Sequence, residues 1–182
     1  MNQAPKPFSN LTGNGCHTHI SVWDSTSNIN LFKETNEDLE LSSLAYQFIG
    51  GVLESAKALC AFCNPTVNSY KRINSPITLS GSTWSPNTIS YSGNNRTHMI
   101  RIPDFDRFEL RLPDGAANPY LLPAAIIAAG LNGIEQKINP GDRAENNTYT
   151  DPLPTEKNKK LPANLFLAFA LSEYEKKLAT YL

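Results

Sequence analysis

The chain has 182 residues, about one domain's length, and its 40% hydrophobic and 18% charged residues are an ordinary globular balance. Sixteen Lys plus Arg against 17 Asp plus Glu leave a net charge of −1, which argues against a generally basic nucleic-acid surface. No apolar run approaches the roughly 18 residues of a membrane span, residues 1–10 lack a secretory apolar stretch, and three cysteines cannot all pair within the chain, so a reducing, cytoplasmic setting without membrane or nucleic-acid partners is expected.

Pro5 and Pro7 make the opening extended or loop, and Gly13-Asn14-Gly15 signals a turn. Residues 16–23 then alternate. His17, His19, Ser21 and Trp23 share one face, and Cys16, Thr18, Ile20 and Val22 the other, the pattern of a half-buried strand. Residues 41–63 read as one long helix, opened by Ser42 or Ser43 and stopped before Asn64-Pro65. Gly50-Gly51 inside it costs about 1 kcal/mol per Gly relative to Ala and implies close packing by another element. Residues 77–91, rich in Thr, Ser and Gly, read as strand and loop, and residues 99–102 as a short strand. Residues 105–112 alternate again, with Arg107, Glu109 and Arg111 on one face and Phe108, Leu110 and Leu112 on the other. Residues 120–138 form an apolar helix ended by Asn139-Pro140-Gly141. A polar loop follows over 139–162, long enough to be functional or mobile, and a last helix runs over 163–182.

Three constellations carry chemistry. In a strand, His17 and His19 point the same way about 6.5 to 7 Å apart, which suits one metal ligand beside one phosphate contact better than a shared ion. By itself such a pair is more often a surface or structural feature. In Arg107-x-Glu109-x-Arg111, two guanidiniums flank a carboxylate and would keep it ionised and able to hold a hard cation; from the triplet alone, a cross-strand ion-pair ladder on a solvated face is the favoured reading. Arg72, Arg96, Arg101, Arg107 and Arg111 are dense in a chain of near-zero net charge. Planar, two-pronged donors suit carboxylate and phosphate, so they point to a local anionic ligand, a nucleotide or a dicarboxylic acid. Cys60-x-x-Cys63 lies at an apolar helix end without a second such pair and reads as buried cysteines. No Walker A, GxGxxG or GxSxG motif is present.

The order of these pieces resembles a known family. Gly13-Asn14-Gly15-Cys16-His17-Thr18-His19-Ile20-Ser21 is similar to the GxGxHxHxS segment of the glutamine synthetases. Residues 64–72 resemble their NPTxNSYKR, residues 95–103 their NRSxxIRIP, residues 107–114 their RxExRxPD, and residues 117–120 their ANPY. The wording of residues 81–88 and 113–117 is closest to the type III glutamate–ammonia ligase-like branch. The resemblance implies an α+β fold, a curved, mainly antiparallel sheet with helices packed outside, as a partial catalytic domain over 1–182. The family's N-terminal β-grasp domain and the upstream strands whose glutamates complete the metal sites are not part of this sequence. It implies phosphorylation of the γ-carboxylate of glutamate by ATP, then displacement of the phosphate by ammonia, in a cytoplasmic homo-oligomer.

By the same resemblance, His17 and Glu109 hold a divalent cation, Mg²⁺ or Mn²⁺. His19, Ser21, Arg101 and Arg107 bind ATP, Arg72 and Arg111 bind the glutamate carboxylates, and Arg96 and Arg101 neutralise the transferring phosphoryl group. One departure concerns the amine. The family's flap reads like VPGYEAP and its Glu helps deprotonate ammonium, whereas residues 73–78 here carry no acid. A γ-glutamyl-amine ligase using an organic amine is therefore the alternative within the class. A truncated or non-catalytic homologue acting through assembly is the alternative outside it. Tyr149 stands roughly where some relatives carry an adenylylated tyrosine, but its flanks match poorly and it reads as a plain loop tyrosine.

Overall fold

A computed structural model describes residues 4–73, 75, 83–104, 106–150 and 159–174, with side chains to 171. Four short strands form one open sheet in the order β1-β4-β3-β2: β1 (Thr18–Ile20), β2 (Tyr91–Ser92), β3 (Ile100–Asp104) and β4 (Arg107–Leu110). β4 is antiparallel to both neighbours, and only the β2–β3 pair is parallel. Among the described residues five α-helices accompany it: α1 (Ser43–Glu54), α2 (Ala56–Cys63), α3 (Ser69–Ile73), α4 (Leu121–Glu135) and α5 (Leu165–Tyr174). The α+β class and the mainly antiparallel sheet agree with expectation.

Alternation sets the two faces of the sheet. Ile100, Phe108 and Leu110 are fully buried. On the helix side Phe108 stacks on Phe32 at 6.0 Å between ring centroids and meets Phe48 of α1 at 5.8 Å. Ser42 caps α1, its Oγ accepting the Ala45 N–H at 3.2 Å.

The Gly50-Gly51 weakness has the expected cause. A Cβ on Gly51 would stand 2.1 Å from the Ala129 carbonyl oxygen, and one on Gly133 would stand 2.2 Å from that of Gln47. Helices α1 and α4 therefore touch backbone to backbone. Gly130 makes room for the Phe48 ring in the same way, a Cβ there falling 2.1 Å from the ring.

Several boundaries differ from the sequence reading. The run 41–63 is two helices, broken at Ser55 (ψ 4°). The break lets α1 follow α4 while α2 turns to pack on α5. The expected strand 16–23 has regular pairing only over Thr18–Ile20, because β4 opposite is four residues long. Beyond it Asp24 Oδ1 accepts the N–H groups of Thr26 and Ser27 and turns the chain back, and Trp23 makes only an isolated bridge to Asn30. The helix expected over 120–138 runs Leu121–Glu135, its first turn held by Asn118 Oδ1 accepting from the N–H groups of Tyr120 and Leu121. Helix α3 escaped the sequence reading; a reciprocal pair starts it, Thr66 and Ser69 each taking the other's N–H at 3.2 Å. Parts of four expected features lie outside the described residues: 77–82, Phe105, 151–158 of the polar loop, and 175–182 of the last helix.

Gly51→Ala should cost on the order of 1–3 kcal/mol, because neither backbone at the seam can yield without separating the helices. Urea midpoints compared with Ile127→Ala, which trims an exposed side chain of α4, check this. Equal midpoints would show that the seam is not tight.

Candidate functional site

Strand register assembles the site. On β1 and β4, His19 stands opposite Glu109, and on β3 and β4, Arg101 stands opposite Glu109. These three share one row on the face away from the aromatic core, and side chains two residues along a strand point the same way. His17 and Arg111 fall in the adjoining row.

Glu109 is the centre. It is 4% exposed, and both carboxylate oxygens are engaged. Arg101 Nη1 donates to Oε2 at 2.9 Å, and Arg111 Nη1 donates to Oε1 at 2.9 Å. His17 Nδ1 is 3.2 Å from Oε1, and His19 Nε2 is 4.0 Å from it. Burial opposes ionisation of Glu109, but the Arg101 hydrogen bond and the Arg111 charge outweigh it and hold the carboxyl below its usual range. Burial pushes His17 down to about 4, helped by the nearby Arg111 charge and opposed by Glu109. His17 is thus neutral near pH 7, the form that ligates a metal.

The expected flanking of Glu109 by Arg107 and Arg111 is half met. Arg107 turns away. It pairs with Asp104 and Asp106, and its Nε donates to His19 Nδ1 at 3.2 Å. Arg101, directly opposite Glu109 on the paired strand β3, takes its place.

The arginines fall into distinct environments. Arg96 is exposed, with no ion pair among the described residues, and lines a cleft with His17, Trp84, Arg101, Glu109 and Arg111. Arg72 lies beneath, 2% exposed. It donates to the main-chain carbonyls of Leu112 and Arg111 at 2.8 and 3.0 Å, and burial lowers its pKa to about 10. Its guanidinium still reaches upward: a Cβ on Gly15 would stand 2.8 Å from Arg72 Nη2 and 2.7 Å from His17 Nε2, so glycine there keeps the space between them open. Arg111 is 2% exposed, and its Nε is buried without a hydrogen-bond partner among the described residues. Ser21 lies apart, just past the end of β1, accepting from Trp23 Nε1 at 3.0 Å.

The donors suit a hard divalent cation. The 3.2 Å between His17 Nδ1 and Glu109 Oε1 is close to the ~3 Å between neighbouring donors around an octahedral ion with bonds of roughly 2.1 Å. Arg111 Nη1, 2.9 Å from one and 3.3 Å from the other, puts positive charge between them. Among the described residues no three His, Cys, Asp or Glu side chains are placed to share an ion, and His17 and Glu109 are the pair this cleft brings together. Cys60 and Cys63 play no part. Both are buried free thiols raised by burial, and Cys60 donates to the Ala56 carbonyl.

Sequence reasoning missed three residues around the cleft. Trp84 forms its wall. His98 is buried, with Nδ1 2.9 Å from Ser90 Oγ and Nε2 2.9 Å from the Asn146 carbonyl oxygen. Asn95 also donates to that carbonyl at 3.0 Å, so the segment over 95–98 pins the loop that carries Tyr149 against Trp84. Only the polar loop itself was a signal.

Comparison with known proteins places the chain. Residues 2–182 match the family model described as glutamine synthetase, catalytic domain, and the chain belongs to that family. A glutamine synthetase of Rhizobium meliloti is 54% identical over 172 residues, covering 94% of this chain and 39% of that protein. A glutamate–methylamine ligase of Methyloversatilis universalis is 46% identical over 172 residues, covering 93% and 39%. Among solved structures, a GmaS complex with ADP superposes with a TM-score of 0.90 at 56% identity, over 98% of this chain and 41% of that one. The chain thus spans about two fifths of the length of the relatives it matches.

Two outcomes test the geometry. Mn²⁺ binding should weaken about tenfold or more in both His17→Ala and Glu109→Ala; unchanged affinity in both removes the donor assignment. The second concerns pH. Burial lowers the His98 pKa, and its bond to Asn146 offsets this only in part. The unfolded chain therefore takes up the proton first, near pH 6.5, and stability is lost as pH falls from there toward the folded pKa. His17 titrates in the same sense down to about 4. His98→Gln should reduce, without abolishing, the drop in urea midpoint between pH 7.5 and pH 5. A variant with the full drop would show that His98 does not contribute.

Proposed function

We propose that this chain supplies the phosphate- and carboxylate-binding part of an ATP-dependent ligase that joins ammonia or a small amine to the γ-carboxylate of glutamate. The observation that carries this is Glu109, kept ionised beside neutral His17, with the unpaired Arg96 in the same cleft. Membership of the glutamine synthetase family and the ligase names of the relatives support the same reading.

In this reading a γ-carboxylate oxygen attacks the terminal phosphorus of ATP, ADP departs, and a γ-glutamyl phosphate forms. The amine nitrogen then attacks the acyl carbon, inorganic phosphate leaves, and the nitrogen loses one proton. His17 and Glu109 would hold Mg²⁺ or Mn²⁺, which neutralises phosphate charge when bound. Arg96 and Arg101 face the transferring phosphoryl group, where charge spreads over its oxygens and fixed donors lower the barrier. Arg107 and His19, already hydrogen-bonded to each other, and Ser21 just beyond β1 take the nucleotide. Arg111, with its unpartnered buried Nε, and Arg72 below Gly15 take the glutamate carboxylates.

The test joins residues 1–182 to the upstream part of the Rhizobium meliloti relative and follows γ-glutamyl hydroxamate formation with Mn²⁺ and ATP. Activity is expected in the fusion and not in residues 1–182 alone. Arg96→Lys keeps charge but loses the two-pronged geometry, so turnover should fall more than ATP affinity. A folded fusion that binds ADP yet forms no hydroxamate would sink the ligase reading. Unchanged kcat with raised KM in Arg96→Lys would leave Arg96 a ground-state contact.

A further inference from the structure

Among the described residues, every side chain lining the arginine cleft is charged or titratable except one. His17, Arg96, Arg101, Glu109 and Arg111 share it with Trp84, whose indole is 45% exposed. An exposed indole alone means little. The backbone beneath it is the second observation. Trp84 has φ +54°, a left-handed conformation that is a genuine outlier for a bulky residue. Such strain persists only where neighbours over-determine it, and it concentrates at functional sites.

The neighbours here do so. Thr83 Oγ1 donates to the Ser85 carbonyl at 3.1 Å and accepts the Ser85 N–H at 3.3 Å, bracketing Trp84 in a tight loop. Ser85 Oγ donates to the Arg72 carbonyl at 2.7 Å. Arg111 Nη2 reaches the Trp84 carbonyl at 3.5 Å. The Tyr149 ring stands at 90° to the indole with centroids 6.5 Å apart. The two sides of this clasp, 83–85 and the loop of Tyr149, are far apart in sequence. Arg72, through its main-chain carbonyl, and Arg111, through Nη2, both touch the strained segment. The indole is thus held at the cleft beside Arg111.

The glutamate and phosphate parts of the reaction are anionic and call for the arginines. The amine is the one reactant that calls for neither cation nor metal. A wall of fixed, flat, apolar surface in an otherwise charged cleft fits the alkyl group of an amine. It offers nothing to ammonia beyond the weak pull of a ring face on a cation. The indole carries no acid or base in the working range, so it selects the amine and does not deprotonate it. We propose that Trp84 is a specificity-determining wall of the amine site, seating the methyl group of a short alkylamine and favouring it over ammonia. This rests on the ligase reading above.

Two experiments test it. The first uses residues 1–182 with Trp23→Phe, which leaves Trp84 as the sole tryptophan. Inorganic phosphate, drawn to Arg96, should shift its emission; emission unmoved at saturating phosphate, with binding seen by another method, would show that Trp84 does not border the cleft. The second uses the fusion and compares kcat/KM for methylamine and ammonia. Trp84→Ala should lower the methylamine-to-ammonia ratio about tenfold, the scale at which an apolar pocket reads one carbon, and Trp84→Phe should keep most of it. A merely structural role would reduce both amines alike, so an unchanged ratio overturns the proposal. So does a loss confined to the KM for ATP or glutamate. A folded, ADP-binding fusion that makes neither amide overturns the ligase reading and this inference with it. One that makes both amides with a ratio indifferent to Trp84 overturns this inference alone.

Discussion

The structure turns on one buried carboxylate. Glu109 at 4% exposure is tenable only if its charge is met inside the protein, because an unpaired buried ion is costly. Sheet register sets Arg101 directly across from it, and Arg111 on its own strand supplies the second cation, each at 2.9 Å. A one-residue slip of β4 would turn Glu109 toward the helices and Phe108 toward solvent, exchanging an ion pair for a charge among Phe32 and Phe48. Register and ion cluster therefore specify each other. The exit of β4 is clamped as well. Arg72 takes the carbonyls of Arg111 and Leu112, and Asn64 Nδ2 donates to the Leu112 carbonyl and to Asp114 Oδ2, each at 3.0 Å.

Behind the sheet, a second constraint fixes how β4 sits. The glycine seam lets α1 and α4 approach until backbones touch, which sets the depth at which Phe48 lies. Phe48 packs edge-on against Phe32 at 5.5 Å and against Phe108 of β4. Any widening of the seam would pass through these rings to the strand whose other face carries Glu109 and Arg111. Offset and edge-to-face aromatic pairs are close-packed and transmit displacement. The small residues of two helices and the charged residues of the sheet thus belong to one mechanical unit.

Much of this was legible in the sequence, for identifiable reasons. Alternation over 105–112 fixes which residues share a face, so the buried row of Phe108 and Leu110 and the polar row of Arg107, Glu109 and Arg111 were readable. Alternation does not fix register. The sequence places the partners of Glu109 two residues along its own strand, at Arg107 and Arg111; Arg111 is one of them, and the other stands across the sheet at Arg101. Arginines also look alike in sequence whether their donors face a cleft, as with Arg96, or main-chain carbonyls, as with Arg72. The break at Ser55 has no Gly or Pro to announce it, because a change of packing partner causes it. Trp84 was invisible as a site residue, since a positive φ on a tryptophan is imposed by tertiary contacts and leaves no local signature.

The charges of the cleft make a last point about what it can hold. Arg96, Arg101 and Arg111 face it against the single carboxylate Glu109, and Arg72 lies directly below. Burial lowers the pKa of Arg111 and takes that of Arg72 to about 10, which records the free energy spent in keeping cations out of water. Glu109 and Asp114 offset part of that cost, and the three guanidiniums leave the cleft net positive. An arriving phosphate or carboxylate relieves that charge, so anions gain more here than on an open surface. An alkylammonium ion meets the same field with the opposite sign. The cleft admits an amine most easily where the field is weakest or once anions have neutralised it, and among the described residues the apolar stretch of its wall is the indole of Trp84.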